Sequence, residues 1–331
     1  MRDKIAGALY GMALGDAMGM PAELWGRKRV KAFFGRIEGF LDGPAENDVA
    51  FNYKKGQFTD DTGQALVLLD SIESTDYEPD TRDIALRMLA WAEKENAFEN
   101  NILGPTSKVA LANFRDNIQD SRITDKALSN GSAMRIAPIG CLFRPEQKED
   151  IARYVYLVSR ATHTSDVTIA GAAVIAEAVS SAIVKDDFEK VMEDVFGIEE
   201  IGYGMGCETF SPRLGERLRI GLDIAGSYKG DDEGFIHKLY DVVGTGVGII
   251  ESVPAALSVA YYAQDPNLSC LLCANMAGDT DTIGAMATAV CGAFTGMGRI
   301  KPEYIRTLRQ QNDADFDHYI RILEKGRERF A

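Results

Sequence analysis

The chain has 331 residues, 46% of them apolar, and a formal net charge of −14 from 50 acidic and 36 basic side chains. That supplies ample apolar material for a buried core, in one large domain or two. The acidic balance argues against non-specific nucleic-acid binding, which needs basic surface to displace counterions; a small anion held by backbone donors stays open.

The segment Met1-Arg2-Asp3-Lys4 carries no apolar leader and runs into an amphipathic helix over 3–14, with Ile5, Leu9 and Met12 on one face. Further helices are predicted at 62–73, 82–95, 107–115, 148–160, 167–184, 186–195, 214–226, 233–241, 251–263, 267–274 and 283–297. A last one spans 302–327, with room for a break. Small residues, as at Ala170-Gly171-Ala172-Ala173 and at Ala285, Ala287, Ala289, Gly292 and Ala293, permit close helix approach. No alternating strand exceeds about five residues, and no linker, repeat or low-complexity tract divides residues 1–331.

No apolar run reaches the roughly 18 residues of a membrane span. The five cysteines are an odd number without a leader, which argues against a disulfide framework. Cys270-Leu271-Leu272-Cys273 reads as one turn of a buried helix. The expectation is a soluble, cytoplasmic protein with neither a membrane nor a nucleic-acid partner.

Two acidic clusters carry the chemistry: Thr59-Asp60-Asp61-Thr62 and Asp279-Thr280-Asp281-Thr282. Each holds two carboxylates and two hydroxyls in four residues. Either is a plausible helix start, with Thr59 or Asp279 as N-cap and acidic residues in the first turn. Brought together, the four carboxylates would repel one another and hold protons. Divalent cations would relieve that repulsion, and an all-oxygen set suits Mg²⁺, Mn²⁺ or Ca²⁺ better than Zn²⁺. Four carboxylates also match the charge of two such ions. If the clusters share a site the chain closes on itself, which favours a single domain.

Four other segments look like ligand-contact loops. Gly15-Asp16-Ala17-Met18-Gly19-Met20-Pro21-Ala22-Glu23 reads as a helix end followed by a turn, with a glycine C-cap and an exposed Glu23 as the plainer reading. Asn130-Gly131-Ser132-Ala133-Met134-Arg135 offers successive N–H groups to a phosphate, or is a plain turn before a helix. Thr162-His163-Thr164-Ser165-Asp166 holds the only histidine in a loop that opens a buried-looking helix. Gly244-Thr245-Gly246-Val247-Gly248 lacks the preceding strand and the spacing of a dinucleotide fingerprint.

Taken in order, the motifs Gly15-Asp16-x-x-Gly19-x-x-x-Glu23, Phe58-Thr59-Asp60-Asp61-Thr62, Asn130-Gly131-Ser132-x-Met134-Arg135, Thr162-His163 and Gly278-Asp279-Thr280-Asp281-Thr282 resemble those of the ADP-ribosylglycohydrolases. The resemblance runs from about residue 3 to residue 298. It implies an all-α, single-domain orthogonal helical bundle with two Mg²⁺ or Mn²⁺ ions in a cleft. It also implies hydrolysis at C1 of a ribose that joins ADP-ribose to an acceptor. By that resemblance the metal ligands are Thr59, Asp60, Asp61, Asp279, Asp281 and Thr282. Glu23, Asp60 and Asp61 are the candidates for proton transfer. Asn130, Gly131, Ser132, Met134 and His163 match positions that line the ADP-ribose site. Gly246 joins them, in the stretch where many members carry G-x-G-Tyr.

That stretch departs from the family here, because Thr245-Gly246-Val247-Gly248-Ile249-Ile250 has no aromatic residue. Tyr203 is a candidate replacement from a neighbouring loop. The expected substrate is an ADP-ribosylated protein or a smaller ribosylated compound such as a nucleoside. A metal-dependent phosphohydrolase and a non-catalytic ADP-ribose-binding protein are the competing readings.

Overall fold

The structure is a computed structural model that describes residues 1–100 and 102–331. In chain order its helices are α1 (Arg2–Gly19), α2 (Arg27–Phe34), α3 (Asp60–Ser74), α4 (Thr81–Lys94), α5 (Pro105–Arg115), α6 (Arg122–Asp125) and α7 (Ala137–Gly140). They continue with α8 (Lys148–Ser159), α9 (Asp166–Val184), α10 (Phe188–Tyr203), α11 (Leu214–Ser227), α12 (Asp232–Val242) and α13 (Ile249–Ala263). The last four are α14 (Pro266–Met276), α15 (Thr280–Thr295), α16 (Pro302–Gln311) and α17 (Phe316–Arg329). The fold is all-α. Among the described residues, β-type pairing is limited to three isolated bridges, Trp25 with Gly278, Ser129 with Gly248 and Ser165 with Cys207.

Local chemistry sets most boundaries. Asp80, Ser165, Asp187, Asp231, Asp265 and Asp315 each accept a backbone N–H at a helix start, the usual side-chain cap. Proline opens α5, α14 and α16, where its missing N–H costs nothing. The 302–327 segment does break, at Asn312, into α16 and α17. Helix α10 runs to Tyr203, beyond the 195 expected, and α2, α6 and α7 are additional.

Helix α1 overturns two expectations. It continues through Gly15 to Gly19, and it is buried on every side from Ile5 onward, so it is not amphipathic. The cause is a glycine at every fourth position. A Cβ added at Gly7, Gly11, Gly15 or Gly19 would collide with the backbone carbonyl of Gly292, Thr288, Gly284 or Thr280 respectively. The partner positions descend as the glycines ascend, so α1 and α15 lie antiparallel, backbone against backbone. On α15, Gly284 and Gly292 are equally crowded by the carbonyls of Gly15 and Gly7.

Helix α9 is the second buried axis. It packs against α7, α8, α10, α13 and α15. Contrary to the sequence expectation it is long and apolar enough to cross a membrane, but 94% of its apolar window is buried inside the fold, as in the core helix of a globular protein. Cys270 and Cys273 sit one turn apart in α14, both buried and unpaired.

Gly11→Ala is expected to cost about 3 kcal/mol or more, because the added methyl meets a backbone carbonyl that cannot yield. Gly226→Ala, on the open face of α11, is expected to stabilise by about 0.5 kcal/mol. Urea denaturation of the two variants checks the pair.

Candidate active site

The α1–α15 contact carries two ends of the sequence to one place. Thr280 Oγ1 donates to the Gly19 carbonyl at 2.8 Å, across 261 residues. One helical turn back on α1, Asp16 is fully buried and accepts from Thr59 N (2.8 Å), Thr62 N (3.0 Å) and Thr62 Oγ1 (2.6 Å). A carboxylate inside α1 therefore satisfies the free N–H groups at the start of α3. This releases Thr59 from capping: it occupies the N-cap position but its side chain caps nothing. Asp279, at the N-cap of α15, is likewise uncommitted as a cap. Both cap readings hold for position and fail for the side chain.

The freed side chains converge. Thr282 Oγ1 donates to Asp61 Oδ1 at 3.1 Å, joining the two clusters directly. Glu23, Asp279 and Asp281 each place one carboxylate oxygen within 4.8 Å of the others. Asn130 Nδ2 donates to Asp279 Oδ2 at 2.5 Å. Asp60 is half-buried and turns toward Gln64, whose Nε2 lies 2.9 Å from its Oδ2. Glu23 reaches the centre because its segment is pinned: Leu24 N donates to Gly278 O, Gly278 N to Trp25 O, and Asn47 Nδ2 to Glu23 O. Leu24 (φ 56°) and Ala277 (φ 72°) hold left-handed backbone at the two sides of this pairing. Such strain collects at functional sites.

Burial raises every carboxyl group here. Asp16 and Asp279 rise to about 6, opposed by the hydrogen bonds from Thr62 and Asn130 respectively. Asp60 rises to about 7 through burial and then the charge of Asp16, and Glu23 to about 8 through burial and then Asp279 and Asp60. Asp61 and Asp281 are also held well above the usual carboxylate range, by burial and then by the charges of Asp16 and Glu23 respectively. Asp281 Oδ1 is buried with no hydrogen-bond partner. An orphaned carboxylate oxygen among repelling carboxylates, with only oxygen donors around it, fits a hard divalent cation. Asp279, Asp281 and Glu23 from one side, and Thr59, Asp60, Asp61 and Thr282 from the other, are the residues that would hold one.

Behind the carboxylates runs a buried polar chain. Arg135 is 1% exposed and donates to Gln64 Oε1 (2.7 Å) and Thr162 Oγ1 (2.6 Å). Ser129 Oγ gives its own proton to Thr106 Oγ1, so toward His163 it accepts, and His163 Nδ1 takes the Thr162 hydroxyl proton at 2.9 Å. His163 is then protonated at Nε2 and donates to Ser129 Oγ, 3.1 Å away. Burial and the Arg135 charge lower its pKa to about 3, so His163 is neutral at physiological pH. It lies under the loop: a Cβ on Gly131 would meet its Cε1 at 2.7 Å.

Of the residues expected to touch substrate, Ser132 and His163 are fully buried, and Asn130 and Met134 nearly so. Ser132 Oγ is spent on the Thr168 carbonyl. These side chains shape the loop and hold Asp279. Gly246 is partly exposed and donates its N–H to Glu251 Oε2 at 2.9 Å. Tyr203 does not reach the carboxylates; it lines a separate depression with Asp166, Glu200 and Arg213. The sequence reading gave no role to Asp16, Gln64 or Tyr53. Tyr53 belongs at the mouth, where burial and the charges of Asp60 and Glu23 push its phenol pKa up.

An all-helical chain whose two acidic helix starts are joined beside an oxygen-only cluster able to hold a cation fits a metal-dependent hydrolase. This chain belongs to the ADP-ribosylglycohydrolase family, whose sequence profile matches residues 1–329. It is 44% identical to the uncharacterised protein YegU of Escherichia coli (strain K12) over 98% of both chains. It is 26% identical to the ADP-ribosylarginine hydrolase Tri1 of Pseudomonas putida (strain GB-1), over 92% of this chain and 73% of that one. It is 23% identical to the ADP-ribosylhydrolase ARH3 of Homo sapiens, over 94% of this chain and 91% of that one. A solved structure, an ADP-ribosylglycohydrolase-related protein complex, superposes with a TM-score of 0.73 at 22% identity over 98% of each chain, which shows a shared fold. The family is metal-dependent and acts on ADP-ribosylated substrates.

Two measurements follow from the raised carboxyl groups. The folded chain holds protons that the unfolded chain releases above about pH 4, so deprotonation costs the metal-free protein stability. Its Tm is expected to fall from about pH 5 to pH 8, through the values near 6, 7 and 8 at Asp16, Asp60 and Glu23, and Mg²⁺ should restore most at the alkaline end. A Tm that rises over that range contradicts this account. Asp281→Asn is expected to weaken Mg²⁺ and Mn²⁺ binding by about 100-fold or more in calorimetry.

Proposed function

We propose that this chain hydrolyses the bond at C1 of a ribosyl group, and that its substrate is an ADP-ribosylated acceptor. One observation carries the reading: Glu23, Asp279 and Asp281 bring carboxylate oxygens within 4.8 Å of one another, and Thr282 ties that group to Asp61 of the other acidic helix start. The ligand set Thr59, Asp60, Asp61, Asp279, Asp281 and Thr282 supports two ions, Mg²⁺ or Mn²⁺, whose charge balances four carboxylates. When bound, such ions supply Lewis-acid polarisation and a hold on hydroxyl oxygens.

The protein's own groups divide the remaining work. A water oxygen bonds to C1 while the C1–acceptor bond gives its electron pair to the acceptor, which then takes a proton. Glu23, half-buried beside Asp279 and Asp281, is our candidate to hand over that proton. Asp60, half-buried at the start of α3, is our candidate to receive the one the water loses. Asp16 and Asn130 keep Thr59, Thr62 and Asp279 from turning away. A diphosphate is supported by the turn at Asn130, whose carbonyl takes the N–H groups of Ala133 and Met134. The N–H groups of Gly131 and Ser132 have no acceptor among the described residues.

A second reading has one specific support. Residues 245–250 carry no aromatic side chain, and Tyr203 is occupied elsewhere, with its hydroxyl accepting from Leu214 N. A smaller N-ribosyl compound would not need that stacking surface. We also propose a cytoplasmic location, supported by five unpaired cysteines.

Product analysis with Mg²⁺, and separately with EDTA, separates the readings. ADP-ribosyl-arginine, ADP-ribosyl-serine and a panel of ribonucleosides are offered side by side. Metal-dependent release of ADP-ribose is the expected result. Release of ribose from nucleosides alone would establish the second reading, and release of inorganic phosphate would replace both with a phosphohydrolase.

A further inference from the structure

Helix α3 begins in the carboxylate centre, and one of its faces borders a groove. Thr59, Gly63, Leu66, Val67 and Asp70 recur at helical spacing and line one groove of about 450 Å³. From Thr59 to Asp70 the helix rises roughly 16 Å. Thr59, next to Asp60, and Tyr53, whose phenol feels the charges of Asp60 and Glu23, line the groove, so it borders the site.

The walls are built. Trp91 of α4 stands over Gly63, where a Cβ would meet its Nε1 at 3.1 Å. The opposite wall is the α16–α17 turn and Tyr319. Asn312 fixes that turn, accepting from Phe58 N at 3.1 Å and donating to Gly56 O at 2.8 Å. The charge is one-sided: Asp70, Glu95 and Asp313 line the groove against Lys94 alone. The acidic run at 313–317 is divided. Asp315 caps α17, Asp317 pairs with Arg309, and Asp313 faces the groove.

We propose that this groove binds the acceptor side of the substrate as an extended basic peptide, whose modified side chain enters at Thr59 and whose flanking arginines and lysines lie along α3. About five extended residues span the length. The carboxylates complement their charge, and Trp91 and Tyr319 offer aromatic faces to guanidinium groups. A free amino acid or a nucleobase would fill only the inner end. The assignment rests on the glycohydrolase reading for the reaction at Thr59, but peptide binding is measurable without turnover.

Tryptophan fluorescence reports it. The chain has two tryptophans; Trp25 is 5% exposed beneath the Arg29 guanidinium, and Trp91 faces the groove. Titration with a short unmodified arginine-rich peptide should give a saturable change that weakens with salt, while an acidic peptide of equal length gives none. Trp91→Phe should remove the signal, and Glu95→Lys with Asp313→Lys should weaken binding about tenfold. In the same double variant the ratio of kcat/KM for an ADP-ribosylated basic peptide to that for free ADP-ribosyl-arginine should fall about tenfold. No saturable change, equal binding of the acidic peptide, or an unaltered affinity in the double variant overturns the groove. Saturable binding without turnover of either substrate sustains the groove and removes the glycohydrolase reading.

Discussion

Everything at the site depends on two helices touching without side chains between them. Glycines at 7, 11, 15 and 19 let α1 lie against the backbone of α15, and that closeness decides where Asp16, Thr280 and Asp281 fall. A separation larger by one methyl group would move the start of α15 away from Asp16 and from the start of α3, which Asp16 holds. The rest of the fold supports this contact. Helix α9 packs behind α15, while α14 and α17 close other sides of α1. Packing of this density transmits displacement rather than absorbing it, so the geometry of the carboxylates is inherited from a seam that contains no catalytic group.

The second constraint is electrostatic. Asp16, Glu23, Asp60, Asp61, Asp279 and Asp281 are gathered where water is scarce, and the nearby buried cation, Arg135, is spent on amide and hydroxyl oxygens instead of a carboxylate. Without a cation the cluster keeps protons. The chain thus carries stored repulsion that a divalent ion relieves, which ties folding free energy to metal affinity. The neutral His163 belongs to the same arrangement: its ring completes a chain of donors and acceptors from Asp60 to Ser129 and contributes shape rather than charge.

What was legible in the sequence follows from what leaves a local signature. The clusters at 59–62 and 279–282 were visible because acidic, hydroxylated helix starts are compact patterns, and most helices because caps and apolar periods are local. Glu23 and the Asn130 loop came through motif resemblance. Helix α1 was misread because a helix buried by glycine contacts has no apolar stripe to reveal its faces; its glycines looked like a terminus. Asp16 was quoted within a motif but given no role, because the Thr59 and Thr62 groups it holds lie more than forty residues away. Tyr53 lies in a segment without periodicity, and nothing local tells that its phenol sits beside Asp60 and Glu23. His163 was placed correctly at the start of α9, but its burial under Gly131 is a tertiary fact.

The pairing of α1 with α15 has a consequence for biosynthesis. Helix α1 is made first, and its partner is among the last helices to leave the ribosome. Until residues 280–295 emerge, the glycine-lined face of α1 lacks the helix that covers it, and the two acidic helix starts cannot meet. Long-range closure of this kind slows folding and prolongs the exposure of apolar surface. Assembly of the carboxylate cluster therefore waits until most of the chain has been made and coincides with completion of the core.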